Sequence, residues 1–304
     1  MKNQPSDFIA STWKPLAGWN PTPAVLSETV DGGQSFRWQC TDEIWTGHWG
    51  DSLAQLRLNA GTLEWRAPKH CATQVATTLP RYLGFDLDWS ALNTSLPWRS
   101  DPHLAQCIAA FPGLRILRQP FGDTLLGFLC SATKQIVQIK QMVALLAERH
   151  GLPLAPHSTL NPERSTIRHR LPTWAELAHV PEADLRACLL GFRARYIHNT
   201  AKFIAARPGW LEETEHLPYT TAKARLLELP GVGEKVADCV LLFGAGKLEA
   251  FPVDTWILKA LARRYGLDDW KPAQVAHFGR THFGPLAGLA QQYLFSWERK
   301  FGTR

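Results

Sequence analysis

Two residues of this 304-residue chain, Lys235 and Asp254, have the types and the setting for covalent chemistry. Lys235 lies in the first turn of a predicted helix, just after Leu229-Pro230-Gly231-Val232-Gly233. A cation there meets the positive end of the helix dipole, and with partial burial this favours the free amine. A free amine is a nucleophile able to form a Schiff base. Asp254, nineteen residues on in Phe251-Pro252-Val253-Asp254-Thr255-Trp256, stands at the start of the next predicted helix. Its commonest use there is as an N-cap. The same cap would fix a carboxylate where it faces a developing cation.

The elements that must position this pair begin with residues 220–243, two short helices joined by a hairpin. Pro230 ends the first helix because it cannot continue the hydrogen-bond ladder. Gly231 and Gly233 permit a tight turn whose backbone can approach another molecule closely. The second helix then starts with free N–H groups and a favourable dipole, a ready phosphate site. Gly231, Val232 and Gly233 are therefore candidate contacts to DNA phosphates, which position a duplex without reading its sequence. A plain helix-turn-helix corner is the alternative reading of the same residues.

The rest of the chain supplies a scaffold of two kinds. Apolar residues alternate from Ser35-Phe36-Arg37-Trp38-Gln39-Cys40 through 54–65, with Asn59-Ala60-Gly61 as a hairpin signal. An antiparallel sheet is expected over roughly 24–66. From about residue 100 the period is helical, with helices expected over 136–149, 182–190, 195–206, 220–229, 233–243, 255–265 and 285–300. The polar, proline-containing stretch 152–172 reads as an exposed connection. The predicted fold class is α+β: an amino-terminal antiparallel β-sheet domain over 1–110, then an all-helical domain over 111–304.

Composition narrows the function. The chain is 45 % hydrophobic and 20 % charged, which is ordinary globular usage. No 18-residue apolar run is present, so a membrane span is not expected. The first residues carry no apolar run behind Lys2 and do not read as a secretory signal. Six cysteines without a CxxC pair argue against a thiolate metal site or iron–sulfur cluster and fit reduced thiols. An intracellular setting follows, bacterial cytoplasm and nucleus alike. Net charge is −2 over residues 1–110 and +8 over 111–304, so a polyanion should meet the carboxy-terminal part.

Leu229-Pro-Gly-Val-Gly-Glu-Lys235-Val-Ala-Asp-Cys239, followed by Pro252-Val-Asp254, resembles the helix-hairpin-helix-GPD superfamily of DNA base-excision glycosylases. Gly33-Gln34-Ser35-Phe36-Arg37-Trp38, Gly191-Phe192-Arg193-Ala194-Arg195-Tyr196 and Gly284-Pro285-Leu286-Ala287-Gly288 are similar to segments of its 8-oxoguanine branch. The likeness runs in order from about residue 24 to 300. It implies a bifunctional enzyme that flips a damaged base from double-stranded DNA into a pocket. Lys235 would attack the sugar C1′ and hold it as a Schiff base, and Asp254 would stabilise the sugar cation and take the amine's proton.

The resemblance also implies a base-binding set. Gly33 matches the glycine whose carbonyl accepts the extra N7 hydrogen of 8-oxoguanine. Gln291 matches the glutamine at the base's Watson–Crick edge, Phe295 the phenylalanine stacked on it, and Cys239 the residue on its other side. Phe192 stands where the family has an aromatic wedge, with Arg193 beside it as a further DNA contact. Animal members carry three asparagines and an arginine that hold the orphaned cytosine. This chain has Thr133-Lys134-Gln135 and then Gln138, so Gln135 and Gln138 are the candidate contacts and a relaxed opposite-base requirement is expected. Trp256 replaces a family histidine. No cofactor is required, although the family hairpin can bind a cation through carbonyls, here those of Leu229 and Val232. The partner is oxidised duplex DNA, met by a monomer without a membrane. Two alternatives stay open on the residues alone: a glycosylase for an alkylated or ring-opened purine, and a helix-hairpin-helix protein that binds DNA without chemistry.

Overall fold

The computed structural model describes residues 10–154 and 169–302. Most of the predicted connection over 152–172 therefore lies outside the described residues. Five strands, β1 (Lys14–Pro15), β2 (Trp38–Thr41), β3 (Ile44–Trp49), β4 (Ser52–Asn59) and β5 (Thr62–Arg66), form one antiparallel sheet. Their order is β1-β5-β4-β3-β2. Two reversals use consecutive left-handed residues, Asp42-Glu43 at φ +50° and +61° and Ala60-Gly61 at +47° and +79°. That backbone matches the twist of the strands it joins.

The sheet takes in Lys14–Pro15, ahead of the expected range, but is otherwise confined to Trp38–Arg66. Residues 24–31, expected to be part of it, belong to helix α1 (Pro23–Asp31). Thr22 caps α1 by accepting from the Val25 N–H at 3.2 Å, and Pro23 occupies its first turn. Val25, Leu26, Thr29 and Val30 then fall on one buried stripe. Cap, proline and stripe are three concordant helix signals that outweigh β-propensity.

The remaining helices are α2 (Ala72–Tyr82), α3 (Trp89–Ser95), α4 (Pro102–Ala110), α5 (Phe121–Leu129), α6 (Ile136–His150), α7 (Trp174–Leu177) and α8 (Glu182–Leu185). They continue with α9 (Arg193–Ala205), α10 (Trp210–His216), α11 (Tyr219–Leu226), α12 (Glu234–Phe243), α13 (Thr255–Tyr265), α14 (Pro272–Phe283) and α15 (Ala287–Phe301). Helix α2 packs on β4, and α4 packs on α15, so the first 110 residues are held to the end of the chain. The helix predicted over 182–190 is α-helical only to Leu185 and continues as a π-helical stretch over Arg186–Leu190. Its apolar period runs on, but the backbone leaves the helix at Cys188 and turns left-handed at Leu189, φ +62°.

Buried carboxylates tie the helices around the site. Glu298 of α15 is fully buried and meets Arg263 and Arg264 of α13 at 3.1 and 3.2 Å. Asp101 caps α4 through the Leu104 N–H at 2.9 Å and accepts from Tyr265 Oη at 2.9 Å. His282 Nε2 of α14 lies 3.0 Å from that same oxygen. One carboxylate thus links α4, α13 and α14. Asp101→Ala should lower the unfolding free energy by about 2–4 kcal/mol, one cap plus two bonds to a buried acceptor. Chemical denaturation measures it, and a loss below about 1 kcal/mol would show that the linkage is redundant.

Candidate active site

The site is assembled at the start of α12. Gly233 is its extended N-cap and Glu234 occupies the first turn, where a negative charge suits the dipole. Lys235 is half-buried and reaches across to α5. Its Nζ donates to Ser131 Oγ at 3.0 Å and lies 5.2 Å from the Phe128 ring centre. Ser131 in turn donates to the Phe128 carbonyl at 2.7 Å. One turn after Lys235, Cys239 is 3 % exposed, and burial pushes its thiol up to about 12 although Lys235 pulls the other way. The thiol is therefore protonated and apolar in character.

Asp254 caps α13, its Oδ1 accepting from the Ile257 N–H at 2.9 Å. Burial raises its carboxyl pKa, while the Ile257 N–H, Lys235 and the Trp256 N–H draw it down. Lys235 acts electrostatically on both Asp254 and Cys239. The structure thus brings the predicted amine, carboxylate and thiol together.

Arms of the hairpin are stapled behind them. Asp238 of α12 is buried and accepts from Tyr219 Oη at 2.7 Å and Lys223 Nζ at 3.0 Å, both on α11. Gly231 has φ +80°, and an added Cβ would lie 2.5 Å from Tyr196 Cγ. Gly233 has nothing within 4 Å of such a Cβ. Val232 is buried, so only its backbone belongs to the exposed ridge, and its N–H closes the turn onto the Leu229 carbonyl at 3.1 Å. Thr200 of α9 donates to the Pro230 carbonyl at 3.2 Å and fixes the hairpin against that helix.

A second cluster gathers around Gly33 and α15. Gly33 has φ +112°, and a Cβ there would lie 3.0 Å from Ile136 Cδ1 and 3.6 Å from Phe295 Cε1. Gln34 pins this turn: its Nε2 donates to the Arg115 carbonyl at 2.8 Å and its Oε1 accepts from the Leu117 N–H at 2.9 Å. Gln291 is buried and donates to the Pro252 carbonyl at 3.0 Å, which joins α15 to the loop leading to Asp254. Gln292 donates to Gln291 Oε1 at 2.6 Å.

The candidate DNA contacts separate into two kinds. Phe192 is 51 % exposed and meets Tyr196 edge to face. Gln135 and Gln138 are exposed and form a capping box on α6, with the Gln135 N–H donating to Gln138 Oε1 at 3.2 Å. Arg193 is not on the surface as expected. It is 2 % exposed, and its guanidinium donates to the carbonyls of Ala132 and Leu190 and to Thr133 Oγ1. Burial of this cation is tolerable because three acceptors surround it. Sequence reasoning missed Ser131, Gln34 and Ile136, because their partners are distant in the chain, and Gln292, which no motif marks. Among the described residues no group of three or more His, Cys, Asp or Glu is arranged to hold a metal ion. No described helix is long and apolar enough to cross a membrane.

Comparison with known proteins gives concordant matches. The family described as the 8-oxoguanine DNA glycosylase, N-terminal domain, matches residues 19–125. The HhH-GPD superfamily base excision DNA repair protein family matches residues 126–281. The chain is 31 % identical over 299 residues to the N-glycosylase/DNA lyase OGG1 of Arabidopsis thaliana, covering 93 % of this chain and 79 % of that protein. It is 29 % identical over 269 residues to an N-glycosylase/DNA lyase of Saccharomyces cerevisiae, covering 81 % and 69 %. A Clostridium acetobutylicum 8-oxoguanine glycosylase/lyase, solved with duplex DNA carrying cytosine opposite 8-oxoguanine, superposes with a TM-score of 0.82 at 30 % identity. That match covers 91 % of this chain and 92 % of the other.

Two outcomes follow from this geometry. Gly231→Ala should cost about 2–4 kcal/mol, from a left-handed backbone plus the clash with Tyr196, while Gly233→Ala should cost less than about 1 kcal/mol. Thermal melts of the two variants check the contrast. Asparagine caps a helix as well as aspartate, so Asp254→Asn keeps the cap and removes a buried charge. The folded carboxyl binds its proton more tightly than the unfolded one, so ionisation costs stability as pH rises through the folded value. The variant should equal the parent in acid and exceed it near neutral pH in denaturant unfolding. A less stable variant at neutral pH would overturn this.

Proposed function

The chain belongs to the HhH-GPD superfamily of base excision DNA repair proteins, and from that premise we propose that it removes 8-oxoguanine from duplex DNA, with Lys235 as the nucleophile. The activity is that of a bifunctional N-glycosylase and DNA lyase. The observation that carries the residue assignment is the coupling of Lys235 to Asp254 across two helix starts. Asp254, made more basic by burial, takes a proton from the Lys235 ammonium. The free amine attacks C1′ of the flipped nucleotide, and the base leaves with the electron pair of its glycosidic bond. Opening of the sugar at O4′ gives a cationic Schiff base between C1′ and Nζ. Loss of a C2′ proton then expels the 3′ phosphate. Asp254 hands the proton it took from Lys235 on to the departing base and, ionised again, stabilises the positive charge on the sugar.

Base recognition rests on the cluster around Gly33 and α15. The Gly33 carbonyl accepts the N7 hydrogen of the lesion, where guanine would present a lone pair instead. An unpaired contact of that kind costs about 1–3 kcal/mol, enough for selectivity against the undamaged base. The left-handed Gly33 turn, pinned by Gln34 and lying against Phe295, supports this role. Phe295 and the neutral Cys239 thiol are the two faces between which the base stacks. Gln291 reads the base edge; an amide has two hydrogens and two lone pairs, so its bonds to Pro252 and Gln292 leave capacity for a ligand.

DNA is gripped through phosphates at Gly231, Val232 and Gly233, and Phe192 fills the opened stack. A structural cation at the hairpin would take the carbonyls of Leu229 and Val232. The Leu229 carbonyl already accepts from Val232 and retains a second lone pair, which fits such a ligand. Opposite the lesion, Arg193 is turned inward, and the surface positions are the glutamines 135 and 138. Neither supplies a guanidinium fork for cytosine.

Borohydride should trap a covalent complex with a duplex bearing 8-oxoguanine, and Lys235→Gln should abolish the trap. Trapping retained in that variant removes Lys235 from its role. Asp254→Asn should lower excision at least about 10²-fold, as loss of a proton acceptor and charge stabiliser does. Excision rates opposite the four bases should lie within about tenfold of one another, since no bidentate contact discriminates them. A cytosine preference well beyond that would show that another group reads the orphaned base.

A further inference from the structure

Ser131 has no place in the assignment above, yet it holds the amine on which the assignment depends. Its hydroxyl hydrogen is committed to the Phe128 carbonyl at 2.7 Å, so a lone pair faces Lys235 Nζ at 3.0 Å. Ser131 accepts from the amine and donates nothing to it. An amine bonded this way keeps its own lone pair free to attack. The next two residues are gripped from the other side. Arg193 donates through Nε to the Ala132 carbonyl at 3.1 Å and through Nη2 to the same carbonyl and to Thr133 Oγ1. Its guanidinium carbon lies 4.3 Å from the ring centre of Phe192, the exposed residue before it. Thr133 is left-handed at φ +55°, a backbone held by its surroundings and not one the residue prefers. Three consecutive residues, 131–133, therefore touch the Lys235 amine at one end and the neighbour of Phe192 at the other.

We propose that Ser131 is a positioning residue for the Lys235 amine, and that Arg193 couples the Ser131 loop to Phe192, so that filling the opened base stack aims the nucleophile. This rests on the reading of Lys235 as nucleophile and Phe192 as wedge. An inward arginine that spans both ends explains why a cation next to the wedge is buried and not offered to phosphate. The fork geometry matters, since the single nitrogen of lysine cannot reproduce the planar Nε–Nη2 pair that meets the Ala132 carbonyl and Thr133 Oγ1.

The test is single-turnover excision at saturating duplex, with duplex affinity measured beside it. Ser131→Ala should lower the excision rate about 10–100-fold, the scale of a misaimed reacting group. Duplex affinity should stay unchanged, and Ser131→Thr should restore most of the rate. Arg193→Lys should reproduce the rate loss. Phe192→Ala should lower the rate in the parent but add little in the Ser131→Ala background, a non-additive double-mutant cycle. If Ser131→Ala does not fold, Ser131→Cys, similar in size with a poor acceptor, carries the same expectation. A parental rate for Ser131→Ala or Ser131→Cys, or a loss confined to affinity, overturns the positioning role. An additive cycle overturns the coupling. Trapping in Lys235→Gln separates these outcomes from failure of the underlying reading, because it tests the nucleophile alone.

Discussion

The structure depends on keeping an amine and a carboxylate close together in a place water only partly reaches. Both groups sit at helix starts. Lys235 is in the first turn of α12, where the dipole opposes its charge, and Asp254 caps α13, where its carboxylate accepts from the Ile257 N–H. The scaffold must then hold two helix ends in register against that electrostatic cost. It does so with buried ionic ties: Asp238 with Lys223 and Tyr219 behind α12, and Glu298 with two arginines of α13. Breaking one partner of such a tie leaves a charge stranded, so the ties fix geometry strongly even where their net stabilisation is small.

How much of this the residues disclose depends on how local the determining signals are. Helix α13 is bounded as expected, Thr255–Tyr265, because Asp254 caps one end and Gly266, left-handed at φ +66°, stops the other. The hairpin was legible for the same reason, since proline and two glycines act on their immediate neighbours. Lys235, Asp254 and Cys239 lie within one another's electrostatic reach because they stand on consecutive helices of one module. Helix α1 was misread as strand, although Thr22 and Pro23 carry its start signal, because alternation further along drew the sheet too far forward. The break at Leu189 was hidden because the apolar period continues through it.

What remained illegible is of another kind. Arg193 stands in a run of basic residues next to an exposed aromatic, and every local cue places it outside. Its burial is set by carbonyls of a loop some sixty residues earlier in the chain. Gln34 and Ser131 are ordinary polar residues in sequence and acquire meaning only from acceptors and donors that tertiary structure brings to them. Burial and hydrogen-bond partnership are properties of the folded chain, and no spacing rule encodes them.

One of the features at the base-binding cluster carries a chemical consequence of its own. Peroxides and alkylating agents attack the thiolate, and a sulfur that holds its proton up to about pH 12 offers almost none. Burial thus keeps Cys239 from the thiolate form that such oxidants attack, although Lys235 lies one turn before it. Of the six cysteines only Cys40, at the far rim of the sheet, is exposed to such reagents. The thiol beside Lys235 is thus sealed as an apolar wall, and the one open to solvent lies on an edge strand of the sheet, its own pKa raised by partial burial and neighbouring carboxylates.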